Sequence, residues 1–189
     1  MYKFIFSLLV ILFSFLSTMT SAYGIEKNSI NFNFGYGSLS NKLLVGEFKS
    51  SSVDSDIASL AFSYRRMVSP NFGVELGYRS SFGGLGSMII SGITEVKDPS
   101  LYGPRIMIYG ELPLNKYFGF HSRLGVNYTT LEYTSKQLNK EVSNSEIGGE
   151  GSIGFHFNIL RFSFGVDYTQ SLSRQFKSSI YSVGTSFKF

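Results

Sequence analysis

The chain has 189 residues, of which 43% are hydrophobic and 16% charged, and its formal net charge is +4 at pH 7. This length fits one domain, and a mean hydropathy of +0.07 means that the apolar residues are spread along the chain and not gathered into long spans. These values argue against a helical membrane protein, while the scattered Lys and Arg residues argue against a nucleic-acid partner. Because the sequence has no cysteine, disulfides cannot hold the fold together.

The one continuous apolar run lies at the start of the chain. Lys3 precedes an apolar stretch over residues 4–16, and small residues follow up to Ala22. This order is typical of a secretory signal peptide, so we interpret residues 1–22 as a signal peptide cleaved after Ala22 and residues 23–189 as a mature domain exported through the Sec pathway. A retained anchor helix is disfavoured, because spanning a bilayer takes about 20 apolar residues.

Beyond the signal peptide, apolar residues recur at every second position, which is the spacing of side chains on one face of a β-strand. In the first segment Ile30 and Phe32 alternate with Asn31 and Asn33. The fourth segment is less regular, and its Pro104 fits a rim or a bulge. The pattern predicts eight strands, over residues 29–38, 57–66, 72–80, 101–112, 117–129, 147–157, 160–168 and 180–189.

The links between these segments alternate in length. Short links lie at residues 67–71, 113–116 and 158–159, whereas those at 39–56, 81–100, 130–146 and 169–179 are long and polar. The alternation predicts an all-β fold, namely an eight-stranded antiparallel up-and-down transmembrane β-barrel with three short periplasmic turns and four longer extracellular loops. At one end of the odd strands lie tyrosines that fit an aromatic belt at a membrane interface: Tyr36, Tyr78, Tyr128 and Tyr168.

Side-chain volume indicates which face of the strands points inward. An eight-stranded barrel has an interior just wide enough for side chains. One face collects glycines such as Gly77 and Gly154, whereas the other carries Phe, Tyr, Leu and Ile. We therefore predict that the large apolar face points outward into lipid, since soluble monomers tolerate only a few hundred Å² of such surface. A soluble lipocalin-like barrel with an apolar cavity is the disfavoured alternative.

Charged residues share the predicted inner face with the glycines. We expect Arg65 to pair with Glu75 across the first short turn, and Arg123 to pair with Glu150 if their hairpin is centred on its long loop. Ions packed inside a narrow barrel must satisfy one another, so we interpret both as structural ion pairs; a proton or ion path is the functional alternative. The charged residues predicted to face inward are Arg65, Glu75, Arg79, Arg105, Glu111, Arg123, Glu150, Arg161, Asp167 and Lys188.

The last segment ends in an alternating apolar pattern formed by Tyr181, Val183, Phe187 and Phe189. This pattern resembles the C-terminal assembly signal of bacterial outer-membrane proteins, although an ordinary last strand is the plainer alternative. With the signal peptide and the eight strands, the mature chain resembles the small outer-membrane β-barrel families of the OmpA transmembrane-domain and OmpX/Ail kind. The resemblance implies a Gram-negative outer membrane, insertion by the barrel-assembly machinery, and contact with outer-membrane lipid and lipopolysaccharide. We expect a monomer.

The resemblance to adhesion and resistance barrels also implies a non-enzymatic surface protein. Its loops would serve envelope integrity, adhesion or contact with host or environmental molecules, and the apolar segment 82–94 is one candidate for such contact. A porin-like channel for small solutes is the first alternative, disfavoured because eight strands packed with side chains leave no water-filled lumen.

A lipid A-modifying enzyme is the second alternative. The lipid A deacylase barrel family carries a His-x-Ser arrangement with a distant Glu, and the surroundings of His121 and His156 do not reproduce it. No cluster of His, Asp or Glu has the spacing of metal ligands in the sequence. We therefore expect no catalysis, no metal and no cofactor.

Overall fold

The computed structural model describes residues 27–42, 52–83, 96–135, 140–174 and 176–189. The predicted signal peptide, its cleavage residue Ala22 and most of the apolar segment 82–94 lie outside the described residues. Within these ranges, no helix is long and apolar enough to cross a membrane.

Eight antiparallel strands form one closed barrel in chain order, and the last strand pairs with the first. Closure pairs every strand on both sides, which leaves no open sheet edge. The predicted eight-stranded up-and-down barrel is therefore confirmed. The strands are β1 Asn28–Lys42, β2 Ser52–Met67, β3 Phe72–Gly83, β4 Val96–Pro113, β5 Phe118–Ser135, β6 Lys140–Ile159, β7 Phe162–Leu172 and β8 Phe176–Lys188.

Short links join β2 to β3, β4 to β5 and β6 to β7 at one end of the barrel, which we call the short-turn end. Polar contacts within the link stabilise two of them. The Phe72 amide donates a hydrogen bond to Ser69 Oγ at 3.1 Å. Asn115 Oδ1 accepts from the amides of Tyr117 and Phe118 at 2.8 and 2.9 Å, a local bond that asparagine commonly makes in turns.

The third short link corrects the predicted start of the seventh strand. We expected a strand from Leu160 with Arg161 facing inward, but both residues form the turn and β7 begins at Phe162. Ile159 pairs directly with Phe162, so only two residues reverse the chain, and Leu160 has a φ of 54°. Two-residue hairpin loops need such a positive φ. Neither loop residue is Gly or Asn, so the usual signal of this turn was missing.

At the opposite end, the strands run further than the alternation predicted. The β5–β6 pairing continues to Ser135 and Lys140, and β8 begins at Phe176. Much of the predicted loops 130–146 and 169–179 is therefore strand. Polar residues on both faces of these strand ends removed the period-2 signal. The assignment of this end to the extracellular side stays a prediction.

The two faces of the barrel wall differ as predicted. Leu124, Ile147 and Tyr181 on the outer face are 70%, 72% and 69% exposed, whereas Glu75 on the inner face is fully buried. Most of the large apolar side chains thus form the outer wall, whereas the charged residues and most of the small ones lie inside.

A charge placed in the outer wall tests its contact with lipid. Leu124 lies opposite Ile108 on the outer face, and Leu124→Arg should lower the free energy of unfolding in phospholipid vesicles by about 2–4 kcal/mol, because arginine there meets hydrocarbon. Leu124→Ala, which removes apolar area without adding charge, should cost less. Urea unfolding measures both variants, and equal losses would contradict a lipid-facing wall.

Candidate functional site

Six buried apolar side chains fill the interior in the half of the barrel away from the short turns. Sequence reasoning missed this apolar layer, because its members fall in predicted loops or at the first position of predicted strands. The six residues stand at the same alternate positions of their strands as the small inward residues. Extending the alternation in each strand could therefore have identified them. The apolar layer consists of Leu39, Ile57, Leu101, Leu131, Phe176 and Ile180.

Nearer the short turns, the interior is charged and centred on Glu75 of β3. Its carboxylate accepts hydrogen bonds from Arg65 Nε and Nη2 at 3.0 and 2.8 Å. Arg105 Nη2 lies 3.5 Å from Glu75 Oε1, and Arg123 Nε lies 3.5 Å from Glu75 Oε2. One buried carboxylate thus faces three guanidinium groups from three different strands.

Glu150 of β6 forms a second centre. Arg79 Nη2 and Arg105 Nη1 lie 2.8 and 2.7 Å from its Oε1 atom. Asn127 Nδ2 and Ser171 Oγ each donate to its Oε2 atom at 3.1 Å. Because Arg105 contacts both Glu75 and Glu150, the two centres form one network.

The structure brings together one of the two predicted ion pairs. Arg65 and Glu75 lie within 2.8 Å, whereas Arg123 does not pair with Glu150. The β5–β6 register sets Arg123 opposite Ser152 and Glu150 opposite Gly125. The hairpin turns at a different place from the one we assumed, so the residue opposite Arg123 lies two positions away from the expected Glu150. Arg123 instead contacts Asp167 at 3.2 Å.

Two histidines extend the network toward the short turns. His121 Nε2 lies 2.5 Å from Asp167 Oδ1, and His121 Nδ1 lies 3.1 Å from His156 Nδ1. His156 Nε2 lies 3.1 Å from Glu111 Oε1, to which the Tyr109 hydroxyl donates. Two ring nitrogens can share a hydrogen bond only when one carries the proton, so the tautomers of the two rings are coupled. Sequence reasoning had considered these histidines separately.

Tyr109 links this part of the network back to Arg65, because the Arg65 guanidinium lies 3.5 Å from the centre of the Tyr109 ring. Every charged member therefore has an oppositely charged or aromatic neighbour. Within the described barrel, this network holds equal numbers of arginines and carboxylates. Its members are Arg65, Arg79, Arg105 and Arg123 with Glu75, Glu111, Glu150 and Asp167.

Little empty space remains around the network. One cavity of about 20 Å³ lies between the apolar layer and Glu150, and another of about 20 Å³ lies beside His121, His156 and Lys188. A cavity of this size holds about one water molecule. The described part of the interior is therefore packed with side chains.

The described residues also bear on metal binding and catalysis. No group of three or more His, Asp or Glu side chains within the described ranges could hold a metal ion. Ser122, the neighbour of His121 in sequence, is exposed on the outer face, whereas His121 is 3% exposed inside. The His121 ring therefore does not share a face with this hydroxyl.

A closed barrel with an apolar outer wall and a charged, filled interior defines a transmembrane β-barrel. The chain belongs to the family of the outer membrane protein beta-barrel domain, whose model matches residues 8–189. Membership of this family places the protein in a bacterial outer membrane.

Solved structures share this fold at low sequence identity. Ail, the attachment invasion locus protein of Yersinia pestis, is 16% identical with a TM-score of 0.54, over 86% of this chain and 99% of that chain. Neisserial surface protein A is 10% identical with a TM-score of 0.64, over 86% and 97%. OprG from Pseudomonas aeruginosa is 19% identical with a TM-score of 0.55, over 87% and 97%. No curated protein matches the sequence closely enough to count as a relative.

The charged centre at Glu75 should matter greatly for stability. Glu75→Gln leaves three buried guanidinium groups short of one carboxylate, so the free energy of unfolding should fall by about 3–5 kcal/mol. Glu132→Gln is the control, because Glu132 is exposed and accepts a hydrogen bond from the Tyr102 hydroxyl outside the buried network. Urea unfolding in vesicles measures both variants. Similar small losses would show that the network contributes little.

Two glycines of β6 test how tightly the interior is packed. A Cβ atom at Gly154 would lie 2.4 Å from Asp167 Oδ1 and 2.8 Å from His121 Nε2, whereas a Cβ at Gly149 would meet nothing within 4 Å. Gly154→Ala should therefore lower the free energy of unfolding by about 1–3 kcal/mol. Gly149→Ala should be neutral or stabilising, since glycine weakens a strand. Equal effects in thermal unfolding would contradict the packed interior.

Proposed function

We propose that the protein is a non-enzymatic outer-membrane barrel whose outer connecting segments serve adhesion, contact with host or environmental molecules, or envelope integrity. The observation that carries this proposal is the filled interior, where two cavities beside the charged network measure about 20 Å³ each. Within the described residues the interior offers no chamber for a ligand, so the connecting segments are the parts of the chain best placed to touch partners.

A solved neighbour offers a precedent for this use of the fold. Ail was solved in complex with the heparin analogue sucrose octasulfate, at 15% identity and a TM-score of 0.56 to this chain. At this sequence identity the likeness shows a shared fold and does not show a shared ligand. A sulfated polysaccharide is therefore a reasonable first probe for surface binding.

We further propose that the short-turn end faces the periplasm and that the barrel-assembly machinery reads the last strand. Tyr181, Val183, Phe187 and Phe189 all lie exposed on the outer face at 69%, 59%, 39% and 46%, which supports access by a partner during insertion. Sec export with cleavage after Ala22, lipopolysaccharide contact and a monomeric state belong to the same proposal.

A gene-deletion strain tests the surface role. Loss of the protein should lower binding to heparin-coated surfaces or raise sensitivity to detergent, and the wild-type gene should restore the phenotype. A variant with residues 84–95 replaced by a Gly/Ser segment of equal length should fold but fail to restore it. Gly149→Ala, which lies on the outer wall and leaves the connecting segments intact, is the control for general disturbance and should restore the phenotype. Unchanged binding and detergent sensitivity in the deletion strain would contradict the proposal.

Conductance in planar bilayers tests the filled interior against a small-solute channel. The wild-type barrel should give no discrete openings, because the apolar layer and the charged network occupy the section that a solute would cross. A porin in the same bilayer serves as the positive control. Reproducible openings from the barrel alone would favour the channel, and a changed lipid A mass spectrum in the deletion strain would favour the enzyme.

A further inference from the structure

The two histidines of the interior lie in a row between two carboxylates. Four consecutive strands each supply one member of this row, namely Glu111 of β4, His121 of β5, His156 of β6 and Asp167 of β7. We call these four residues the histidine cluster. The chain has two histidines in all, and both are buried, with 3% and 6% of their surface exposed.

Three contacts hold the histidine cluster together, and each of them needs a proton. The Nδ1 atoms of His121 and His156 lie 3.1 Å apart, so one must donate to the other. His121 Nε2 lies 2.5 Å from Asp167 Oδ1, and an ionised carboxylate can only accept. His156 Nε2 lies 3.1 Å from Glu111 Oε1, within ion-pair distance although not at the angle of a hydrogen bond. A bare nitrogen there would set its lone pair against a negative oxygen.

The number of protons in the histidine cluster follows from these contacts. Two neutral imidazole rings carry one proton each, whereas three contacts need three. The observed arrangement therefore requires one proton more than two neutral rings and two ionised carboxylates supply. Without that proton, one ring nitrogen faces an oxygen or the other ring with a lone pair. With a second extra proton, both Nδ1 atoms carry hydrogen and repel each other.

Groups of both signs surround the histidine cluster. Three cations line the cavity beside the rings and oppose a further positive charge. Each cation has an acceptor of its own, whereas the two carboxylates of the cluster contact the rings directly and favour the extra proton. The cations with their acceptors are Arg65 of β2 with Glu75 of β3, Arg123 of β5 with Glu75 and Asp167, and Lys188 of β8 with Asn158. The neighbouring polar groups are the Tyr109 hydroxyl of β4, which donates to Glu111, and the neutral Asn33 of β1.

The histidine cluster is closest to solvent at the short-turn end. Glu111 lies two residues before the end of β4 at Pro113, and its side chain is 17% exposed. The apolar layer occupies the other half of the interior, where it separates the cluster from the opposite end. A proton therefore enters and leaves by way of Glu111, from the short-turn side.

We infer that the histidine cluster is a binding site for one extra proton, which ties β4, β5, β6 and β7 together and makes the interior respond to pH on the short-turn side. Strongly coupled groups titrate as a unit in two separate steps. Between those steps one proton lies between the two rings; it is lost from the cluster in alkali, and a second extra proton separates the rings in acid. Which compartment sets this pH rests on the proposed orientation, but the proton count does not.

Nuclear magnetic resonance of the full mature chain tests the proton count directly. Histidine labelled with the heavy nitrogen isotope is incorporated, and the folded protein in detergent is titrated from about pH 4 to about pH 9, which brackets the ordinary histidine range. Because detergent exposes both ends equally, the result is independent of orientation. His121→Gln and His156→Gln assign the two rings, and heat-dependent gel migration verifies that each variant is folded.

The wild type should show a coupling between the Nδ1 atoms of the two rings across their shared proton, within a window of pH. In that window three of the four ring nitrogens should have the shifts of protonated nitrogen, and the coupling should vanish in both acid and alkali. Each single-histidine variant should lose the coupling and titrate in one step. Absence of the coupling at every pH, or two protonated nitrogens throughout the window, would overturn the inference.

Two substitutions with opposite expected signs separate proton binding from general disturbance. Glu111→Gln removes a carboxylate beside the rings and should weaken the affinity for the extra proton about tenfold or more, which moves the alkaline step to lower pH. Lys188→Gln removes a cation from the same cavity and should move that step to higher pH. Glu132→Gln, at the opposite end, should leave it unchanged. Shifts in the same direction for Glu111→Gln and Lys188→Gln would contradict the assignment.

Discussion

The narrow interior of an eight-stranded barrel is the constraint on which the rest of this structure depends. Closing eight strands leaves room for side chains and little else. The chain meets this limit by setting a small residue beside several of the large inward ones. Gly77 faces Arg105 across β3 and β4, where a Cβ atom would lie 3.1 Å from Arg105 Nε. Gly119 faces His156 in the same way, and its Cβ would lie 2.5 Å from the ring. The glycines of the inner face are therefore part of the packing of the charged residues.

The charged network has a role beyond filling space. Buried ion pairs contribute little net stability on average, because the desolvation cost offsets their attraction. In this barrel they also specify which face of each strand points inward. Turning the wall inside out would place Glu75, Arg105 and Arg123 in hydrocarbon, at a cost of about 2–4 kcal/mol for each arginine near the bilayer centre. The network thus disfavours the inverted barrel as well as stabilising the observed one.

The sequence predicted the strands and their faces well, because the alternation of apolar and small or polar residues depends only on the residues of each strand. It predicted Arg65 with Glu75 for the same reason, since a short link fixes their register. The partner of Arg123 depends on where a longer hairpin turns, and alternation carries no information about that. The coupled histidines were missed because their contact joins two different strands. The long strand ends were missed because polar residues on both faces removed the period-2 signal, and most of the apolar layer therefore fell in predicted loops or at the first position of predicted strands. At Leu160 the error had the opposite form. The alternation of apolar residues continues through the turn, so a strand was predicted where the chain reverses direction.

The most direct test of the account asks which aromatic positions touch lipid. The chain has no tryptophan, so a single tryptophan introduced at Phe155 or at Tyr109 gives an unambiguous fluorescence signal. Phe155 is 56% exposed on the outer wall, whereas Tyr109 is 2% exposed inside. In vesicles of lipids with brominated acyl chains, Phe155→Trp should be strongly quenched and Tyr109→Trp only weakly. Equal quenching at the two positions, or stronger quenching at Tyr109, would contradict a barrel with apolar residues in lipid and ions inside.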